Sequence, residues 1–167
     1  MEFKELIRNR YSCRKFSPQS VPDEKLLAIL EAGRIAPTGH NCQPQRILVV
    51  KDGTPEMEKL RECTARHFNA PVVLIACFEH VGRDHAYEDL AIVMTHIMLA
   101  SYDEGLASIW VQMVDRDKLR ESFHIPGRYH IMGLMPIGYP REDARPSRLH
   151  NDRKALEETV FFDRYPD

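Results

Sequence analysis

No stretch of the 167 residues approaches the ~20 consecutive apolar residues that a bilayer-spanning helix needs, so no membrane span is expected. The opening Met1-Glu2-Phe3-Lys4-Glu5-Leu6 lacks the apolar core of a secretory leader, which makes the cytoplasm the expected compartment. Gly-x-Gly-x-x-Gly and the P-loop pattern are both missing, and glycine totals only 8, which argues against a dedicated dinucleotide domain. The four cysteines, Cys13, Cys42, Cys63 and Cys77, form no Cys-x-x-Cys pair, against a zinc ribbon or a thioredoxin-type site. The 8 histidines, His80 and His85 among them, show no His-Glu-x-x-His spacing, so no metal site is expected. Large charge of one sign is also absent. Lys plus Arg total 23 against 25 Asp plus Glu, and a net charge of -2 gives no overall pull toward nucleic acid or membranes.

What is present is ordinary for one soluble domain: 43% hydrophobic and 29% charged residues, in a chain long enough to bury a core. Phe3, Leu6 and Ile7 predict a short first helix. Pro22 at a first helical position, with Asp23 and Glu24 at the positive end of the helix dipole, opens a second helix carrying Leu26, Leu27, Leu30 and Ala32; it ends near Gly33 or before Pro37. Arg46 to Lys51 and Val72 to Phe78 read as buried strands, with a helix from Pro55 to about Arg66 between them. The longest helical pattern runs from about Asp84 to Glu104, with a stripe of Leu90, Val93, Met94, Ile97, Met98 and Ser101. Ile92, Leu99 and Leu106 add apolar side chains off that stripe, so the helix needs cover on more than one side, from its own core, a second subunit, or both. Gly105 suits a left-handed stop. Beyond it come a strand at Ala107 to Met113, a short helix capped by Asp115, and a strand at Ile131 to Ile137 that ends in the Gly138-Tyr139-Pro140 turn. After Pro140 the chain turns polar, yet it closes on Val160-Phe161-Phe162, an unusual finish for a solvated tail.

Two stretches could carry chemistry. In Arg10-Tyr11-Ser12-Cys13-Arg14-Lys15-Phe16, two guanidinium groups four residues apart flank a hydroxyl, a set that suits a phosphate and equally suits a solvated basic turn. About two dozen residues later stands Ala36-Pro37-Thr38-Gly39-His40-Asn41-Cys42-Gln43-Pro44. Cys13 and Cys42 lie inside these stretches. Free thiols are the plain reading, and position alone leaves a disulfide or redox role open.

Together the stretches resemble the nitroreductase family of flavin (FMN) enzymes, which open with Arg-x-Ser-x-Arg/Lys-x-Phe and continue with Ala-Pro-Ser/Thr-x-x-Asn-x-Gln-Pro. Gly105-Leu106-Ala107-Ser108-Ile109-Trp110, Ile137-Gly138-Tyr139-Pro140 and Arg153-Lys154-Ala155-Leu156-Glu157-Glu158 follow in register. The resemblance implies an α+β fold, a three-layer sandwich with a central, mostly antiparallel sheet flanked by helices. It implies one domain over 1–167 whose 141–167 segment is an arm that wraps a partner subunit and adds a strand to its sheet. It also implies a homodimer with FMN at the subunit interface. In activity it implies hydride transfer from NAD(P)H through flavin N5 to a small electron-poor acceptor, a nitroaromatic, quinone or enone, in a ping-pong scheme. A dehalogenase or flavin-fragmenting relative, and a flavin-binding module without turnover, stand as alternatives.

By the same resemblance, Arg10 and Ser12, beside Tyr11, would grip the flavin phosphate together with Arg153 and Lys154 of the arm. Arg14 would place a cation at the pyrimidine edge, where reduction puts negative charge. Asn41 and Gln43 would supply donors and acceptors to that edge. Backbone N–H groups at Gln112 and Met113 would face N5. No side chain is expected to act as acid, base or nucleophile, since the chemistry is the cofactor's. The chain departs from the family pattern at Asn151, where a second basic residue is common, at Met113, where glycine is frequent, and at Gln45, where an aromatic often stands.

Overall fold

The computed structural model describes residues 2–79 and 85–166. The expected start of the long helix at Asp84, and His80, lie outside the described residues. In chain order the elements are α1 (Phe3–Asn9), α2 (Asp23–Arg34), β1 (Gln45–Lys51), α3 (Pro55–Cys63), β2 (Val72–Glu79), α4 (Ala86–Asp103), β3 (Ala107–Ser108), α5 (Arg116–Ser122) and β4 (Tyr129–Gly138), with short 3-10 turns at Gly39–Asn41, Ala65–His67 and Leu156–Glu158.

β2 dictates the layering. It is buried at every position but its last, and because successive strand side chains point to opposite faces, it must be covered twice. Val73, Ile75 and Cys77 pack into one apolar cluster, together with Met57 and Leu60 of α3 and Leu119 of α5. Val72, Leu74, Ala76 and Phe78 pack into a second, with Leu26 and Ile29 of α2 and Leu90, Val93, Met94 and Ile97 of α4. The result is helices α2 and α4 on one face, α3 and α5 on the other. Between them lies one sheet of order β1-β2-β4-β3, antiparallel at every pairing. This is the α+β, three-layer arrangement expected from the sequence.

Local signals behave as their chemistry requires. Thr54 accepts the N–H of Met57 to cap α3, with Pro55 in its first turn, and Asp115 accepts the N–H of Lys118 to cap α5. Gly105 stops α4 at φ 75°. In α2 the inward face is Leu26, Ile29 and Gly33, and Leu27 points outward, 66% exposed. Gly33 is inside because α4 crosses there; a Cβ would stand 2.6 Å from Ile97 Cγ1.

The third strand is shorter than the expected Ala107 to Met113. β3 covers two residues, and beyond it the Ile109 N–H donates to the Pro136 carbonyl while Val111 exchanges a pair of bonds with Leu134 as an isolated bridge. Farther along β4, the pairing with β2 shifts register at Ala76/Cys77, leaving Met132 without an opposite number. Arg116 answers that irregularity, donating to the carbonyls of Ile131 and Met132 and to that of Gln112. At the same place Gly133 lets the 111 strand approach closely; a Cβ there would stand 2.2 Å from the Val111 carbonyl oxygen.

Backbone cannot yield as a flexible side chain would. Gly133→Ala should therefore cost about 2–3 kcal/mol, on the scale of overpacked cores, seen as a lower denaturation midpoint at unchanged slope. An unshifted midpoint would mean that these strands separate freely.

Candidate functional site

The segment after α1 is laid along the free side of β3. Ser12 pairs with Ser108 in a parallel bridge, and the Cys13 N–H donates to the Ser108 carbonyl at 3.0 Å. Farther on, Phe16 pairs with Pro140, and the Arg141 N–H donates to the Lys15 carbonyl at 3.1 Å. Held this way, the segment buries Cys13 and Phe16 and turns Arg14 and Lys15 outward. Arg10 directs a guanidinium nitrogen to Met98 Sδ of α4 at 3.4 Å, and Arg14 donates to the Ser12 carbonyl at 3.3 Å. Lys15 is neutralised by Asp143 at 2.8 Å. Among the described residues neither Arg10 nor Arg14 joins an ion pair. Two uncompensated guanidinium groups beside a hydroxyl form an anion-ready edge.

Tyr11 lies half-buried, near Cys13, whose thiol donates to the Lys15 carbonyl at 3.2 Å. Burial pushes the Tyr11 hydroxyl above its ordinary range, and the neighbouring Cys13 adds to that. Burial likewise raises the Cys13 thiol, so both groups keep their protons at neutral pH. Cys77 is pushed up to about 11 by burial. All four cysteines are free.

The second stretch forms a tight loop between α2 and β1. His40, Asn41 and Gln43 stand at φ 51°, 56° and 49°. The left-handed region costs a non-glycine residue about 1 kcal/mol or more, less for asparagine, so three in four residues is an expensive arrangement. Thr38 organises it. Its carbonyl accepts the Asn41 N–H at 2.9 Å and its hydroxyl accepts the Gln43 N–H at 3.1 Å. The Gln43 side chain donates to the Asn41 carbonyl at 3.3 Å. Asn41 and Gln43 are both exposed.

Gln112 is fixed at both ends. Its side chain donates to the Tyr87 hydroxyl at 3.3 Å and its carbonyl accepts from Arg116 at 3.2 Å. Met113 follows, 79% exposed.

α4 is the ruler for all of this. Its first turns meet Gln112 through Tyr87 and the loop through Asp89, which accepts the Gly39 N–H at 2.8 Å. Its later turn meets Arg10 through Met98. Asp89 and Met98 are nine residues apart on one helix, roughly 14 Å along its axis.

The arm divides in two. Arg141 and Asp143 hold its root to the Lys15 region, and Ala144 is buried. His150 then bonds to the Arg8 carbonyl at 3.0 Å and sets its ring edge-on to Tyr11. A cavity of about 680 Å³ lies there, lined in part by Arg8, Tyr11, Tyr102, His150, Asn151 and Arg153. Tyr11 and Arg153 are thus brought together, with Asn151 on the same wall; Lys154, next in the chain, is exposed. From Asn151 to Pro166 every residue is exposed, Phe162 at 82%.

The model of the nitroreductase family matches residues 7–70 and 63–139. The chain belongs to the nitroreductase family. Among solved structures, a nitroreductase family protein of Clostridium difficile 630 is 34% identical and superposes at a TM-score of 0.87, covering 99% of this chain and 100% of that one. An FMN-dependent nitroreductase of Clostridium difficile R20291 is 26% identical at a TM-score of 0.83, covering 98% and 100%. A Thermus thermophilus NADH dehydrogenase is 27% identical over 197 residues, 93% of this chain and 96% of its own. More distant is an iodotyrosine deiodinase of Thermotoga neapolitana, 23% identical over 175 residues, 89% of this chain and 93% of its own.

In this nitroreductase-family chain, three residues outside the sequence-level site set its geometry: Tyr87, Asp89 and Arg116. Their signal in the sequence was faint. Tyr87 and Asp89 open a helix whose apolar stripe dominates, and Arg116 reads as the start of a surface helix.

Proposed function

We propose that the chain is an FMN-dependent NAD(P)H oxidoreductase that reduces a small electron-poor organic acceptor, a nitroaromatic, quinone or enone, in a ping-pong scheme as a homodimer. The observation that carries the reading is the pair of unpaired arginines, Arg10 and Arg14, on one short extended segment beside Ser12. The donor set fits a flat phosphorylated heterocycle: cations and a hydroxyl for a phosphate, mixed donors and acceptors for a ring edge. When bound, FMN supplies a hydride acceptor at N5 that takes reducing equivalents from NAD(P)H and delivers them onward.

The chain's own residues do the rest. Arg10, Ser12, Arg153 and Lys154 hold the phosphate, and the protonated Tyr11 lies beside them. Arg14 supplies positive charge where the reduced ring is negative. Asn41 and Gln43 match the pyrimidine edge, and the backbone at Gln112 and Met113 faces the reacting side. The exposed arm lies across a second copy and adds a strand to that sheet, which gives Leu156, Val160, Phe161 and Phe162 the apolar cover they lack here.

Three outcomes are expected. The purified protein takes up FMN, turns yellow and bleaches rapidly in stopped-flow mixing with NADH or NADPH; a colourless protein that refuses FMN ends the proposal. Arg14→Ala keeps the fold and lowers the flavin midpoint potential by about 30–60 mV, the scale of one hydrogen bond to a charged group in a two-electron couple. An unchanged potential removes Arg14 from the site. Deleting 152–167, of which the described residues 152–166 are all exposed, leaves the denaturation midpoint of the remaining chain nearly unmoved but shifts sedimentation toward the monomer and releases FMN. A truncated dimer that stays yellow contradicts the arm's role.

A further inference from the structure

Asp89 is a carboxylate for which the flavin reading has no use. It is 6% exposed, and its Oδ1 accepts the N–H of Gly39, 50 residues away. A Cβ on Gly39 would lie 3.7 Å from each carboxylate oxygen, so both oxygens face the Gly39 backbone. Immediately after Gly39 the chain enters its run of left-handed residues, His40, Asn41 and Gln43. Such conformations persist only where the surroundings over-determine them.

The loop's other bonds divide by what they fix. Asn41 N–H to the Thr38 carbonyl, Cys42 N–H to the Gly39 carbonyl and Gln43 N–H to the Thr38 hydroxyl set its shape. The Glu79 N–H, donating to the Pro44 carbonyl at 3.0 Å, ties its exit to the sheet. The bond from Gly39 to Asp89 ties its entry to α4, the helix that also meets Arg10 and Gln112. Two anchors on different layers fix both the place and the tilt of the residue between them, Asn41.

The geometry points to Asp89 as a positioning residue for the cofactor, one that acts through Asn41 by holding the Gly39–Gln43 loop on α4. It rests on the FMN reading above. Asp89 itself lies behind the loop and touches Gly39, so its contribution to the cofactor passes through backbone.

The test is titration of FMN, followed by quenching of flavin fluorescence, with thermal melts in parallel. It covers the wild-type chain, Asp89→Ala, Asp89→Asn, Asn41→Ala and the Asp89→Ala/Asn41→Ala double variant. Asp89→Ala should weaken FMN binding about tenfold, the scale of a backbone donor left without its acceptor. Asp89→Asn should stay within about threefold, because its amide oxygen accepts the same N–H. In the Asn41→Ala background, Asp89→Ala should add less than about threefold, since the two act in series. If Asp89→Ala fails to fold, Asp89→Ser takes its place; its hydroxyl is too short to reach Gly39 but can bond within the helix. The inference is overturned if the Asp89 effect is equally large in both backgrounds. It is also overturned if the melt falls while the folded protein binds FMN as tightly as wild type. Wild-type protein that takes up no FMN overturns the flavin reading as well, an outcome distinct from failure of the variant series alone.

Discussion

The burial of α4 between the sheet and α2 is the constraint on which the molecule depends. Leu90, Val93, Met94 and Ile97 are fully buried on the β2 and β4 face, and burying side chains of this kind is worth about 1.5–3 kcal/mol apiece. That stripe leaves the helix no freedom to rotate. Its close approach to Gly33 of α2 removes freedom to slide, because the two helices interlock where the missing Cβ makes room for Ile97. A helix fixed in both senses is a good place to hang polar contacts whose relative distances matter. Tyr87, Asp89 and Met98 are such contacts, and each meets a different segment of the site.

Much of this was legible in the residues, and what was not has physical reasons. β2 could be read because its run from Val72 to Phe78 is apolar without interruption, and α4 because its stripe recurs over the twelve residues from Leu90 to Ser101. The cap at Asp115 and the stop at Gly105 followed from chemistry that acts within one turn. The end of β3 was not readable, since Ile109, Trp110 and Val111 continue the apolar run while the ladder to β4 thins to isolated contacts at Ile109 and Val111. Which member of the Leu26-Leu27 pair points inward was not legible, because adjacent leucines look alike in the sequence. The arginine segment and the asparagine loop were visible as motifs. What the sequence concealed was the hardware behind them: a carboxylate and a phenol on the first turns of a helix, and a guanidinium bonding to three carbonyls.

The candidate site divides unequally between exposed residues and the residues that hold them. Arg14, Asn41, Gln43 and Met113 are exposed, and Arg10 is partly so. Their supports are covered or doubly bonded: Cys13 and Ser108 beneath the arginine segment, Asp89 behind the loop, Arg116 behind Gln112. This is the arrangement in which reactive surfaces stay accurate without being rigid themselves, because stiffness is supplied one layer back.

Met113 shows what that separation permits. Its side chain contributes almost nothing to the core and lies next to a residue clamped at both ends. Replacement there is nearly free in folding energy, so this position can drift over generations while the frame stays still. The contour of the surface there is then an inherited trait that a lineage can revise cheaply, one side chain at a time, without disturbing the clamped residue beside it.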